Sequence, residues 1–259
     1  MLKLTDIIKI YHTNESPSYL FKRFQLSLPA GEFLSIIGSN GSGKTSLLNI
    51  ICGSIPIDGG SIQVAGKEIS HSPEYKRLAY IGRVYQNPSA GTCPSMSIFE
   101  NMSLADHKGK TFHLSAGKNR KRLDFYRQSL ENLGLGLENK MDMPVGLLSG
   151  GQRQAIALLM ATLTPIQILI LDEHTAALDP KTADLIMQLT EKIVTEKKLT
   201  TLMVTHNLRY AIEYGSRMIM MHQGEIALDR SQREKSSMQS DEILQKFHEV
   251  GMQDIANQL

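Results

Sequence analysis
The chain has 259 residues, 41% of them hydrophobic, and a formal net charge of +2 at pH 7. That length suits one large α/β domain with an inserted lobe, and no apolar run reaches the length of a membrane-spanning helix. The charge argues neither for nor against nucleic acid, and the two cysteines, Cys52 and Cys93, offer no metal-ligand spacing and no disulfide framework, so reduced thiols are expected.

Short strand patterns open the chain: Leu2 to Tyr11, then Phe24 to Leu28, with a turn at Pro29-Ala30-Gly31. Phe33-Leu34-Ser35-Ile36-Ile37 reads as a buried strand, and Ser46 to Cys52 as a helix. Between them lies Gly38-Ser39-Asn40-Gly41-Ser42-Gly43-Lys44-Thr45, a complete G-x-x-x-x-G-K-S/T phosphate loop. Its glycines let backbone N–H groups approach phosphate oxygens, where a Cβ would obstruct them. Lys44 supplies a mobile cation for the β- and γ-phosphates, Thr45 offers a hydroxyl to Mg²⁺, and the helix start at Ser46 faces the anion. Kinases, GTPases and motor ATPases all remain open at this point.

A turn at Asp58-Gly59-Gly60 precedes two further strand runs, Ser61 to Val64 and Leu78 to Tyr85. With the first two strands they suggest a small antiparallel sheet. Roughly residues 90 to 160 lack strand runs and read as a helical lobe. Within it, Lys118-Asn119-Arg120-Lys121-Arg122 is a basic cluster near Phe125 and Tyr126, which we read as a solvated helix face; nucleic acid is not expected as a partner, and contact with anionic lipid headgroups is a minor alternative. The lobe ends at Leu148-Ser149-Gly150-Gly151-Gln152. Ser149 can cap the helix that carries Gln154 to Thr164, whose positive end suits a phosphate. Ile156, Leu159, Met160 and Leu163 form its apolar stripe, which leaves the opposite face free.

Ile168-Leu169-Ile170-Leu171 reads as a strand buried on both faces, central in a parallel sheet. Asp172 and Glu173 follow at its C-terminal end, where open α/β sheets bind ligands. Asp172 is placed to hold Mg²⁺ through water, and Glu173 to polarise an attacking water as general base; a plain acidic helix cap is the alternative. Asp179-Pro180 reads as N-cap and first residue of a helix. Thr201 to Thr205 is a third core strand, ending at His206. A histidine there also reads as a loop or core residue, but after another strand of the same apparent sheet it can reach a γ-phosphate. Ile243, Leu244, Phe247 and Val250 mark a terminal helix, 236 to 259, that would dock on a main domain of 1 to 235.

Taken in order, the phosphate loop, Gln86, Leu148 to Gln152, Asp172-Glu173, Ala177-Leu178-Asp179 and His206 resemble the nucleotide-binding subunit of an ABC (ATP-binding cassette) transporter, over roughly residues 1 to 230. The resemblance implies a phosphate-loop (RecA-like) parallel core, an antiparallel N-terminal subdomain and an inserted helical subdomain. It implies two cassettes packed head to tail, each ATP lying between Lys44 of one copy and Ser149, Gly151 and Gln152 of the other. It also gives Gln86 a role in sensing Mg²⁺ and the attacking water, Asp179 one in communication across the dimer, and Tyr11 one in stacking on adenine. An edge-strand tyrosine accounts equally well for Tyr11. The family usually has Pro after the catalytic glutamate; here His174 reads as a tolerated loop variation, but it adds a titratable group beside Glu173, which puts the pH dependence of hydrolysis in question.

Stretches such as Leu171 to Thr182 and Leu199 to Asn207 resemble bacterial importers of the tryptophan/tyrosine type, paired with a substrate-binding lipoprotein. Separate transmembrane permease subunits are then expected as partners. The start, Met1-Leu2-Lys3-Leu4-Thr5-Asp6, lacks the apolar core of a signal peptide, so a cytoplasmic chain held at the inner face of the membrane by its partners is expected. The alternative is a soluble ABC ATPase that moves no solute. DNA-repair versions insert long coiled coils, and ribosome-associated versions carry two cassettes; neither pattern is present.

Overall fold
The structure, a computed structural model, describes residues 1–12, 16–110 and 118–237. The chain divides into two compact units, one holding residues 1–74 and those from Thr200 on, the other Tyr75–Leu199.

The first unit begins with β1 (Leu2–His12) and β2 (Pro17–Leu28), followed by β3 (Phe33–Gly38), α1 (Lys44–Cys52), β4 (Gly59–Val64) and the two-residue β5 (Lys67–Glu68). An antiparallel sheet of order β2-β1-β4-β5 results. One of its faces is apolar: Leu2, Leu4, Ile7, Leu26, Leu28, Ile62 and Val64 are all buried. The pairing of β1 with β2 is irregular at three points, the first between Leu4 and Ile7. There Asp6 takes a positive φ of 50° and accepts from Arg23 and Gln25.

The second unit holds α2 (Glu74–Arg77), β6 (Ile81–Val84), α3 (Ile98–Asp106), α4 (Leu123–Glu131), α5 (Gly150–Ala161), β7 (Ile168–Asp172) and α6 (Pro180–Lys197). Among the described residues between β6 and β7 there is no named strand, only helices, 3-10 turns and an isolated bridge between Ser97 and Pro144. Two of the basic cluster's side chains turn inward to acids: Lys118 meets Glu100 at 2.8 Å and Arg122 meets Asp106 at 2.8 Å.

Two expectations are corrected here. The run Leu78 to Tyr85 does not join the antiparallel sheet. Only Ile81–Val84 is extended, and it pairs in parallel with β7, Ile81 opposite Ile168 and Val84 opposite Leu171. The physical reason is burial on both faces: Ile81, Gly82 and Val84 are all buried, and Gly82 lies so close to the Ala161 carbonyl that a Cβ would come within 2.6 Å of it. Nor does α5 have a free face. Every residue from Gln154 to Ala161 is buried, because Ala155, Ala157, Leu158 and Ala161 fill the side opposite the predicted stripe, and a helix apolar all round packs all round.

Returning to the first unit, β8 (Thr200–Val204), α7 (Leu208–Glu213), β9 (Arg217–His222), β10 (Glu225–Ser231) and α8 (Gln232–Ser237) complete the described chain. β3 runs parallel to β8 on one side and to β9 on the other, and β10 pairs antiparallel with β9. All six residues of β3 and all five of β8 are buried, as parallel strands covered on both faces require. Ile37, Ala211, Met218, Met220 and Leu228 form a core cluster under α7. The predicted terminal helix with Ile243, Leu244, Phe247 and Val250 lies outside the described residues.

Candidate functional site
Two constellations carry the predicted residues, one in each unit. In the first, β3 delivers the chain to the phosphate loop and α1 takes it away. Gly38 sits hard against the Met221 carbonyl, where a Cβ would collide. Gly43 occupies the N-cap of α1 with φ 100° and no side-chain cap, and the first turn carries no acidic residue. The helix thus presents its positive end without a built-in anion, the arrangement that receives a phosphate. Lys44 is buried, its Nζ donating to the Gly38 carbonyl at 2.8 Å and the Ser39 carbonyl at 2.7 Å. Those carbonyls hold the ammonium at the loop, and phosphate oxygens would compete for it. Asn40, Gly41 and Thr45 are exposed, Ser39 and Ser46 partly so, and Ser42 is buried.

His206 belongs to the same edge. β8 runs parallel to β3 with Ile36 opposite Val204, so both strands deliver their following loops to one end of the sheet. His206 is exposed there. Asn207 N donates to Thr205 Oγ1 at 3.0 Å and its side chain caps α7 by accepting from Tyr210 N, which fixes the turn carrying the imidazole. Tyr11 and Gly41 line a common cleft of about 470 Å³, and Tyr11 is 41% exposed. Tyr19, 49% exposed in the same cleft, is an aromatic that sequence reasoning missed. No motif marks it; it stands opposite Ile10 in the β1–β2 hairpin, a pairing that no sequence pattern announces.

In the second unit, β7 ends at Asp172, whose Oδ2 accepts from Arg83 Nη2 at 2.8 Å. Glu173 follows, half-buried, with a positive φ of 48°, and its carbonyl accepts from Ala176 N at 3.0 Å. The left-handed backbone marks a position held against its own preference, a feature that clusters at functional sites. The concern over His174 is corrected. Its ring is buried, and burial pushes its pKa down to about 4. Nε2 lies 3.2 Å from Thr190 Oγ1. The Thr190 hydroxyl donates to the Ile186 carbonyl at 2.7 Å, so His174 is the donor, through Nε2–H, in the neutral ring. It is a packing residue.

The signature, Leu148 to Gln152, forms a closed cap. Ser149 Oγ accepts from Gln152 N at 3.2 Å while Ser149 N donates to Gln152 Oε1 at 3.3 Å, a reciprocal capping box. The helix therefore starts at Gly150, earlier than the run from Gln154, and Ser149 and Gly150 are exposed at its tip. Gly151 is buried against Thr182 at the start of α6. That start is capped by Asp179, which accepts from Thr182 N at 3.1 Å. Gln86 is exposed just beyond β6. Gln154, buried on the signature helix, donates to the Tyr85 carbonyl at 3.2 Å. Sequence reasoning missed this tie between signature and Gln86 loop, since a glutamine in a helix carries no visible partner.

A glycine-shaped loop, an uncapped helix start and a buried lysine fit a polyphosphate. Among the described residues no group of three His, Cys, Asp or Glu side chains could hold a metal ion by itself. The Thr45 hydroxyl in the first unit and the Asp172 carboxylate in the second are each hard oxygen donors, the type that Mg²⁺ takes.

Loop, helix start and cleft define a phosphate-loop nucleotide-binding protein. Residues 21–176 match the family described as ABC transporter. The chain is 46% identical over 248 residues to the tyrosine transport ATP-binding protein of Clostridioides difficile (strain R20291), covering 95% of this chain and 98% of that one. It is 34% identical over 227 residues to the thiamine import ATP-binding protein ThiQ of Salmonella choleraesuis (strain SC-B67), covering 88% and 89%. Among solved structures, the ATP-binding cassette MJ0796, dimeric in a post-hydrolysis state with ADP and Pi, matches with a TM-score of 0.76 and 30% identity, over 90% of this chain and 99% of that one. The chain therefore belongs to the ABC transporter family, as one of the ATP-binding cassettes that hydrolyse ATP to power transport. No helix among the described residues is long and apolar enough to cross a membrane.

Proposed function
We propose that this cassette energises solute import through separate transmembrane permease subunits, working as a head-to-tail pair at the cytoplasmic face of the membrane with a substrate-binding protein in the same system. The observation that carries this reading is the presence, in one chain, of a phosphate loop and a second, exposed capped helix start at Ser149. The dimeric state of the MJ0796 cassette supports the pairing, in which the signature of one copy faces the ATP held by Lys44 of the other. The thiamine import relative supports import, and the tyrosine transport relative supports an amino-acid-like solute.

Residue roles follow the chemistry. The amides of residues 38–46 and Lys44 bind the phosphates, and Tyr11 stacks on the base. Glu173 takes the proton of the attacking water as its oxygen bonds to the γ-phosphorus. The bond from that phosphorus to the β–γ bridging oxygen breaks, leaving ADP and phosphate. Lys44, His206 and the opposite Ser149, Gly151 and Gln152 stabilise the spread negative charge. Thr45, Asp172 and Gln86 would serve Mg²⁺, which when bound neutralises charge on the phosphates. Glu173→Gln should bind ATP and dimerise but turn over very slowly; undiminished turnover in the purified variant would remove Glu173 from the base role.

A further inference from the structure
Arg83 lies on β6 opposite Ile170 of β7. Side chains alternate along a strand, so Arg83 shares a face with Asp172, one diagonal step away. The guanidinium donates to Asp172 Oδ2 at 2.8 Å, with the two side chains only 8% and 13% exposed. Tyr85, the residue just past the end of that strand, places its ring centroid 4.6 Å from Arg83 Cζ. The guanidinium stays charged at any physiological pH. A buried strand position facing Ile170 is ordinarily apolar; here it carries a fixed cation, engaged with the very carboxylate assigned to the metal.

We infer that Arg83 is a positioning residue that competes with the divalent cation for Asp172 and so sets how strongly metal and ATP binding are coupled. The inference rests on the metal role proposed above for Asp172. With Oδ2 held by the guanidinium, only Oδ1 remains to serve a divalent cation, and a half-neutralised carboxylate attracts a second cation less. Removing the competitor frees the whole carboxylate, so metal coupling strengthens.

The test is titration of the full chain with fluorescent ATP in a Glu173→Gln background, once with Mg²⁺ and once with EDTA. The ratio of the two affinities is the metal coupling. Arg83→Gln raises that ratio about tenfold, the lower end of what a charge-assisted hydrogen bond is worth, and leaves the affinity in EDTA unchanged. Arg83→Lys keeps the cation and stays near the parent ratio. If Arg83→Gln does not fold, Arg83→Met replaces it as an uncharged side chain of similar reach. An unchanged or lower ratio in the uncharged variant, or an equal rise in Arg83→Lys, overturns the inference. Asp172→Asn separates the two layers. A ratio that survives it removes the metal role of Asp172 and the inference with it. A ratio that collapses in Asp172→Asn but does not rise in Arg83→Gln removes the role of Arg83 alone.

Discussion

His174 gives a pH signature that can be worked out from the structure. The ring is buried and donates through Nε2–H to Thr190, so protonation in the folded state is opposed and the pKa falls from 6.5 to about 4. In the unfolded chain the same ring titrates near its ordinary value. The folded pKa is the lower one, so the unfolded state binds more protons in between, and stability falls as pH drops from about 6.5 towards about 4. From pH 7.5 to pH 5 the loss amounts to about 2 kcal/mol, or roughly 4–8 °C in Tm for a chain of this size. His174→Asn removes the titrating group. Urea unfolding followed by far-UV circular dichroism at several pH values should show parent stability declining about 2 kcal/mol more than that of the variant. The comparison is between slopes, so any constant cost of the substitution cancels. Equal slopes would refute the buried neutral histidine. ATP turnover above about pH 6 should not follow His174, because the folded ring carries no charge there.

The remaining predictions concern the signature and the base. Ser149→Ala opens the capping box and should cost about 1 kcal/mol of stability, read by chemical denaturation; no loss would mean that the box does not hold the helix start. Gly151→Ala drives a Cβ into the Thr182 side chain, with an expected cost of roughly 1–3 kcal/mol. Thr182→Ala should relieve it, since Thr182 Cβ lies 3.7 Å from the added atom; a double variant as unstable as the single one would contradict the packing. Glu173→Gln, assayed for phosphate release, should lose turnover while retaining ATP affinity.

What was legible in the sequence divides along a physical line. The phosphate loop, the Ser149 cap and the Asp179-Pro180 start depend on backbone conformations that a few adjacent residues dictate, so the local string carried them. β3, β7 and β8 were legible because continuous apolar runs have few other uses. The short strand at Ile81–Val84 was misassigned because parallel pairing with β7 is decided by what lies over both faces, including the Ala161 carbonyl against Gly82. The free face assigned to α5 failed because small residues, Ala155, Ala157 and Ala161, were not counted as buried surface. The Arg83–Asp172 pair, the Gln154 link to Tyr85 and the placing of Tyr19 beside Tyr11 join residues far apart or across a hairpin. No spacing in one sequence reveals them.

The most direct test of the central claim is affinity capture of this chain from detergent-solubilised native membranes, with its partners identified by mass spectrometry. The account predicts recovery of a multi-span permease, whose genuine pairing is shown by retention in Mg·ATP with the Glu173→Gln variant. Recovery of soluble partners alone, such as ribosomes or DNA-repair proteins, would leave the ATPase chemistry standing and contradict the transport function.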